Sequence, residues 1–192
     1  LEGLEKVGIP KRDVMVYRVE KARDTQEETK EQFKSALEQF TAATNFSGGD
    51  LEATYKRLND AYEGSVSKAD EVKNRIADIE SVSEALFNEW KLEIAQYSSA
   101  ALKQSSQKKL DTTQVHYRQL IASMKQAEAK IHPILTVFHD QVMFLKHNLN
   151  ARAIASLKGE LGTIKSDVSV LIASMEKSIN EANAFINTME QK

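Results

Sequence analysis

The four histidines, His116, His132, His139 and His147, are the side chains best suited to metal or proton chemistry, and their spacing argues against most of it. A di-iron helical bundle needs a glutamate three residues ahead of each ligating histidine. Those positions hold Thr113, Ala129, Thr136 and Phe144, none of them acidic. Glu128 and His132 stand four apart on one helical face, as do His139 and Met143, which gives a casual cation contact and no complete ligand set. Cysteine is absent, so thiolate nucleophiles, disulfides and Cys-ligated zinc or iron–sulfur centres are excluded for this chain. No Gly-x-Ser-x-Gly turn accompanies the many serines. Gly3-Leu4-Glu5-Lys6-Val7-Gly8 has the glycine spacing of a phosphate-binding loop. Ile9 and Pro10, however, stand where Lys and Ser/Thr are required, and no buried strand precedes it. The expectation is a protein that is not an enzyme and holds no cofactor and no resident metal.

Whatever the chain does, long helices must position it. From position 55 to position 97 one pattern repeats: Tyr55, Leu58, Tyr62, Ser65, Ala69, Val72, Ile76, Ile79, Ser83, Leu86, Trp90, Glu93, Tyr97. Steps of three and four keep one stripe of a helix facing its partners. At about 1.5 Å per residue such a helix runs roughly 70 Å and must lie along others of its kind. An earlier helix carries Val19, Ala22, Gln26, Thr29, Phe33, Ala36 and Phe40, with Gln26 and Thr29 marking a polar layer or looser packing. A later pair carries Leu110, Leu120, Met124, Ile131, Ile134, Phe138, Val142 and Leu145, then Ile154, Leu157, Ile164, Val168, Leu171, Met175 and Phe185.

The breaks between them are few, as 7 Gly and 2 Pro allow. Leu1 to Val7 is expected to form a helical turn or two, ended by Gly8-Ile9-Pro10. Asn45-Phe46-Ser47-Gly48-Gly49-Asp50 is the clearest loop, with glycines for positive φ and Asp50 placed to cap the next helix. The stripe loses phase at Ser98-Ser99-Ala100, and Asn148-Leu149-Asn150 supplies a third turn. Pro133 lies inside the third helix and should kink it, because its ring cannot donate to the carbonyl of Ala129. Beyond it the apolar residues spread past one stripe, which predicts a helix enclosed by several neighbours. Gly159 and Gly162, with Ala151 and Ala155, form a small-residue strip that predicts a close approach to the Phe138–Phe144 region. The reading is all-α: residues 1–192 as a single elongated antiparallel four-helix bundle or coiled coil, with helices at roughly 10–44, 51–97, 101–147 and 151–190. The hairpin between the second and third helices should project past the others.

A net charge of -2, from 26 basic and 28 acidic residues, gives no pull toward nucleic acid. Residues 51–100 hold six Lys/Arg against ten Asp/Glu, and residues 101–150 hold seven against three. Two successive helices of opposite charge should pair with each other. Lys103, Lys108 and Lys109 form the one basic cluster, near the hairpin tip. No apolar run approaches the roughly 18 residues of a membrane span.

The segments EKVGIPKRDVMVYRVEKARDTQEETKEQFKSALEQF, NFSGGDLE, EALFNEW, QYSSAAL and LKHNLNARAIASLKGE resemble the bacterial domain-of-unknown-function family 2959 over nearly the whole chain. That resemblance implies a secreted lipoprotein with a signal peptide and a lipid-modified cysteine just ahead of a segment like residues 4–7. The cysteine is not in this sequence. It implies no catalytic residues.

The resulting expectation is a non-enzymatic helical scaffold or interaction protein of the cell envelope, periplasmic, tethered at its N-terminus, with a protein partner and no nucleic acid. Membrane contact would run only through that N-terminal anchor, and a homodimer is a further candidate assembly. The alternative is a peripheral membrane-binding or membrane-shaping coiled-coil protein. The candidate partner-binding residues are those gathered at the end opposite the hairpin tip: Phe46, Gly48, Gly49, Asp50, His147, Asn148, Asn150 and Arg152. Polar groups of fixed geometry beside an exposed aromatic suit recognition. Capping of helix ends is the competing role for Asp50, Asn148 and Asn150.

Overall fold

The computed structural model describes residues 10–190, so the expected first helical turn and the Gly3–Gly8 spacing lie outside the described residues. Helix α1, Lys11–Thr44, starts behind Pro10, whose extended conformation and missing N–H suit the flank of a helix. Gly48 and Gly49, at φ 142° and 122°, turn the chain in a region that side chains rarely adopt. The Asp50 carboxylate then accepts from the N–H groups of Glu52 and Ala53 and opens α2, Leu51–Ala95. Ser99 caps α3, Ala100–Ala129, by accepting from the N–H of Leu102 at 3.2 Å. Helix α4, Ile131–His147, continues the same rod, and α5, Ala151–Glu190, returns along it.

These elements make four antiparallel rods around one core, with no strand among the described residues. Helix α1 packs on α2 and on α5, and the α3–α4 rod fills the remaining corner against α2 and α5. Phe138 reaches across the core diagonal to stack on Phe40 and Phe33, with ring centres 4.4 and 6.2 Å apart.

The third rod is two helices where one was expected over 101–147. At Lys130 the N–H donates back only three residues, to the carbonyl of Ala127, and the α-helical run stops. Pro133 falls in the first turn of α4, where its missing donor has no helical partner to lose. The expected disturbance is therefore resolved as a break ahead of the proline.

Gln26 supplies the polar layer. It is 1% exposed, its amide donates to Ser178 Oγ at 2.9 Å, and the Ser178 hydroxyl is 3.0 Å from the Gln26 carbonyl oxygen. Thr29 turns its hydroxyl onto the carbonyl of Thr25. Lys125 faces Glu80 and Thr25 faces Glu71, so the Lys130 break lies between those two levels, beside the Gln26 layer.

Several expectations need correction. The α2 stripe does not run to its end: Glu93 and Tyr97 are exposed, and the buried positions move to Phe87 and Ile94. Lys11 pairs with Glu89, which sets the start of α1 at that level and leaves fewer partners for the tip beyond it. Helix α4 is not enclosed on several sides, since Met143 is 45% exposed and Leu149, just after it, is 47% exposed. Gly159 and Gly162 face solvent, with nothing within 4 Å of an added Cβ, so the small-residue strip brings no close helix approach. The glycine that does serve packing is Gly64, where a Cβ would meet the Gln32 amide at 2.8 Å.

The oppositely charged α2 and α3 share one ion pair, Lys125–Glu80. The other pairs between rods run from α1: Lys11–Glu89, Lys68–Glu28 and Lys30–Glu176. The hydrogen bond to Glu28 raises the Lys68 pKa, and the hydrogen bond from Lys68 lowers that of Glu71.

This packing is open to two tests. Gly159→Ala and Gly162→Ala should each stabilise the fold by up to about 1 kcal/mol in urea unfolding, because helix propensity improves and no contact is displaced. Gln26→Ala should cost about 1–3 kcal/mol by leaving the Ser178 hydroxyl buried without its partner. Adding Ser178→Ala should recover part of that loss, and a double variant as weak as the sum of the singles would contradict the pairing.

Candidate functional site

At the two-turn end the backbone decides which candidate side chains remain available. Asp50 is occupied as the α2 cap, and Asn150 is occupied as the α5 cap, accepting from the N–H groups of Arg152 and Ala153 at 3.0 and 3.4 Å. Asn148 donates from its amide to the carbonyl of Phe144 at 3.0 Å, closing the end of α4. His147 sits in the last turn of α4 beside Lys146, where a cationic group is favoured by the helix carbonyls. Arg152 and His147 are exposed, and among the described residues their side chains make no hydrogen bond or ion pair.

The two turns do adjoin. Phe46 is half-buried, and its ring edge would stand 3.8 Å from a Cβ at Gly49, so the ring covers that glycine. Phe46, Ser47 and Gly48 form one wall of a surface recess of about 410 Å³, and Ala151, Ile154, Ala155 and Lys158 form the other. Of the eight candidate residues, Phe46 and Gly48 line this recess, and of the rest of its lining the sequence marks Ala151 and Ala155 only as members of the small-residue strip. Ala151 and Ala155 could have been found: they lie four apart in the first turns of α5, on the face that the loop overhangs.

A second recess lies at the opposite end, near the hairpin tip. A groove of about 450 Å³ opens where the start of α1 and the end of α5 meet α2 and α3. Leu86, Trp90, Thr113 and Met189 contribute to its lining, and Thr113 and Met189 are buried. The Trp90 indole N–H donates to Ser106 Oγ at 2.9 Å, which holds the ring in place across the hairpin. Arg12, Lys108 and Lys109 stand around it together with Glu89 and Glu93. Just below, Tyr117 meets Phe87 edge-on at 5.4 Å, and burial pushes its phenol pKa up. Sequence reasoning places Leu86 and Trp90 in a core stripe and notices Lys108 and Lys109 only as a basic cluster. The missing signal is where α1 starts, which among the described residues leaves this part of the stripe partly uncovered.

No group of three or more metal-ligating residues exists among the described residues. Nor is any of their helices long and apolar enough to cross a membrane. A family model described as protein of unknown function (DUF2959) matches residues 1–189. No curated protein and no solved structure matches the chain.

Caps and recess walls respond to different substitutions. Asp50→Ala and Asn150→Ala should each lower stability by about 1 kcal/mol in thermal or urea unfolding. Arg152→Ala should stay within about 0.5 kcal/mol of the parent. A loss at Arg152 as large as at Asn150 would show that its side chain belongs to the turn.

Proposed function

The chain belongs to the DUF2959 family, and from that premise we propose that it is a non-enzymatic helical scaffold of the bacterial cell envelope that holds a protein-binding end away from its N-terminal end. One observation carries this reading: a single contiguous core joins the start of α1 to the Phe46 recess at the far end of the bundle. Over the 34 residues of α1 that separation is about 51 Å. A rod with a closed core changes shape little when either end is loaded, which suits a spacer. The recess offers a half-buried aromatic wall, small α5 residues that let a partner backbone come close, and the Lys158 cation. An extended acidic-aromatic segment of a partner protein fits that chemistry. The family resemblance supports a lipid tether ahead of the chain, and a tether there would put the Phe46 end outermost.

A second reading, peripheral membrane binding, draws on the hairpin tip. Leu92, Tyr97 and Leu102 are 68%, 43% and 59% exposed there, close in sequence to Lys103, Lys108 and Lys109. Apolar side chains backed by lysines are the composition of a surface that lies on anionic lipid.

Fractionation and crosslinking separate the two. The scaffold reading expects the native protein in the envelope fraction and a photo-crosslinker at Ala155 to trap one defined protein. Phe46→Ala should abolish that crosslink without lowering envelope association. Sedimentation with phosphatidylglycerol vesicles that is lost in a Leu92→Ser/Leu102→Ser variant, with no crosslink at Ala155, would replace the scaffold reading with the membrane one.

A further inference from the structure

The groove beneath the hairpin tip combines two chemistries that one small molecule can answer together. Its lining includes the Leu86, Trp90 and Met189 side chains, an apolar surface with Trp90 fixed by its bond to Ser106. At its edge Arg12, Lys108 and Lys109 make no ion pair with any described residue. Among the described lining residues the carboxylates are Glu89, which pairs with Lys11, and Glu93, against the three cations Arg12, Lys108 and Lys109. Ser105 and Thr112 add hydroxyl groups to the same rim. At about 450 Å³ the groove falls within the roughly 300–1,000 Å³ range of small-molecule sites.

We propose that this groove binds a single-chain anionic amphiphile, a fatty carboxylate, with the acyl chain along Leu86, Trp90 and Met189 and the carboxylate between Arg12, Lys108 and Lys109. A purely apolar occupant would leave the cations unanswered and bring them next to desolvated surface, which is unfavourable. A small inorganic anion would leave the Trp90 and Met189 surface wet. An amphiphile satisfies both, gaining about 25 cal/mol for each Å² of apolar surface removed from water along with charge-assisted hydrogen bonds at its head. The binding rests on the groove's own geometry and stands whether or not the far end holds a protein partner, so the Ala155 crosslink and this test fail independently.

Trp90 is the only tryptophan, so the groove carries its own reporter. The full chain is titrated with dodecanoate below its micelle concentration while Trp90 emission and stoichiometry by calorimetry are followed. The expected result is a saturable change at one molecule per chain. Lys108→Glu/Lys109→Glu, both exposed and therefore harmless to folding, should weaken it at least tenfold while the melting temperature holds. Dodecyl maltoside, with the same chain and no charge, should bind at least tenfold more weakly than dodecanoate. Equal response to the neutral amphiphile would overturn the proposal by showing an apolar groove alone. A response to phosphatidylglycerol vesicles without one to monomeric dodecanoate would overturn it in favour of a membrane surface. No saturable response also overturns it, and sedimentation velocity would show whether a second copy of the chain fills the groove.

Discussion

Four long helices can bury a common seam in many axial registers unless something penalises slippage, and here the Gln26–Ser178 contact supplies that penalty. Both groups are essentially removed from water, so any slip by a helical turn would leave an amide and a hydroxyl unpaired in the core. Apolar neighbours such as Ile131, Met175 and Val72 would accept a shifted partner with little loss, because their packing is less directional. The Gln26–Ser178 contact fixes α1 against α5 at one level, consistent with the Lys30–Glu176 and Arg23–Asn183 contacts on either side of it, while Lys11–Glu89, Lys68–Glu28 and Phe138–Phe40 mark the registers of the other rods.

Charge plays a smaller part than its segregation along the sequence suggests. The excess negative charge of α2 is answered mainly by Lys56, Lys68 and Arg75 of α2 itself, and once each by α1 and α3. These pairs are largely solvent-exposed and individually weak. Their arrangement favours α1 as the neighbour of α2, and the uncompensated cations of α3 are left at the tip, around the groove.

The helices and turns were legible because their determinants are local. Glycines at 48 and 49, Asp50 and Asn150 dictate caps and turns through the chain immediately around them. The three-four spacing reports burial wherever a helix has neighbours along its whole length, as α5 does from Ile154 to Met189. It fails where burial depends on which other rods are present. Trp90 and Glu93 fit the stripe equally well, yet one shields the core and the other meets water because α1 begins beside them. Gly159 and Gly162 mislead for a related reason: small residues permit close packing, and only the third dimension says whether a neighbour takes the opportunity. At the candidate site the caps could be read from residue type, and the recess needed the juxtaposition of two turns about a hundred residues apart.

The interruption at Lys130 gives local opening of the third rod a place to start. It lies near the layer of Gln26, Thr25 and Thr29, so one rod loses its continuous backbone ladder where buried polar side chains interrupt the apolar core. Aromatic and aliphatic side chains mix on both sides of it, with Phe33, Phe40 and Phe138 toward the turns and Phe87 and Phe185 toward the tip. Opening of that rod on one side of the break need not unravel the other side, because each helix keeps its own hydrogen-bond ladder. One contiguous core still spans the break, so the two parts of the third rod stay coupled through their shared neighbours α2 and α5.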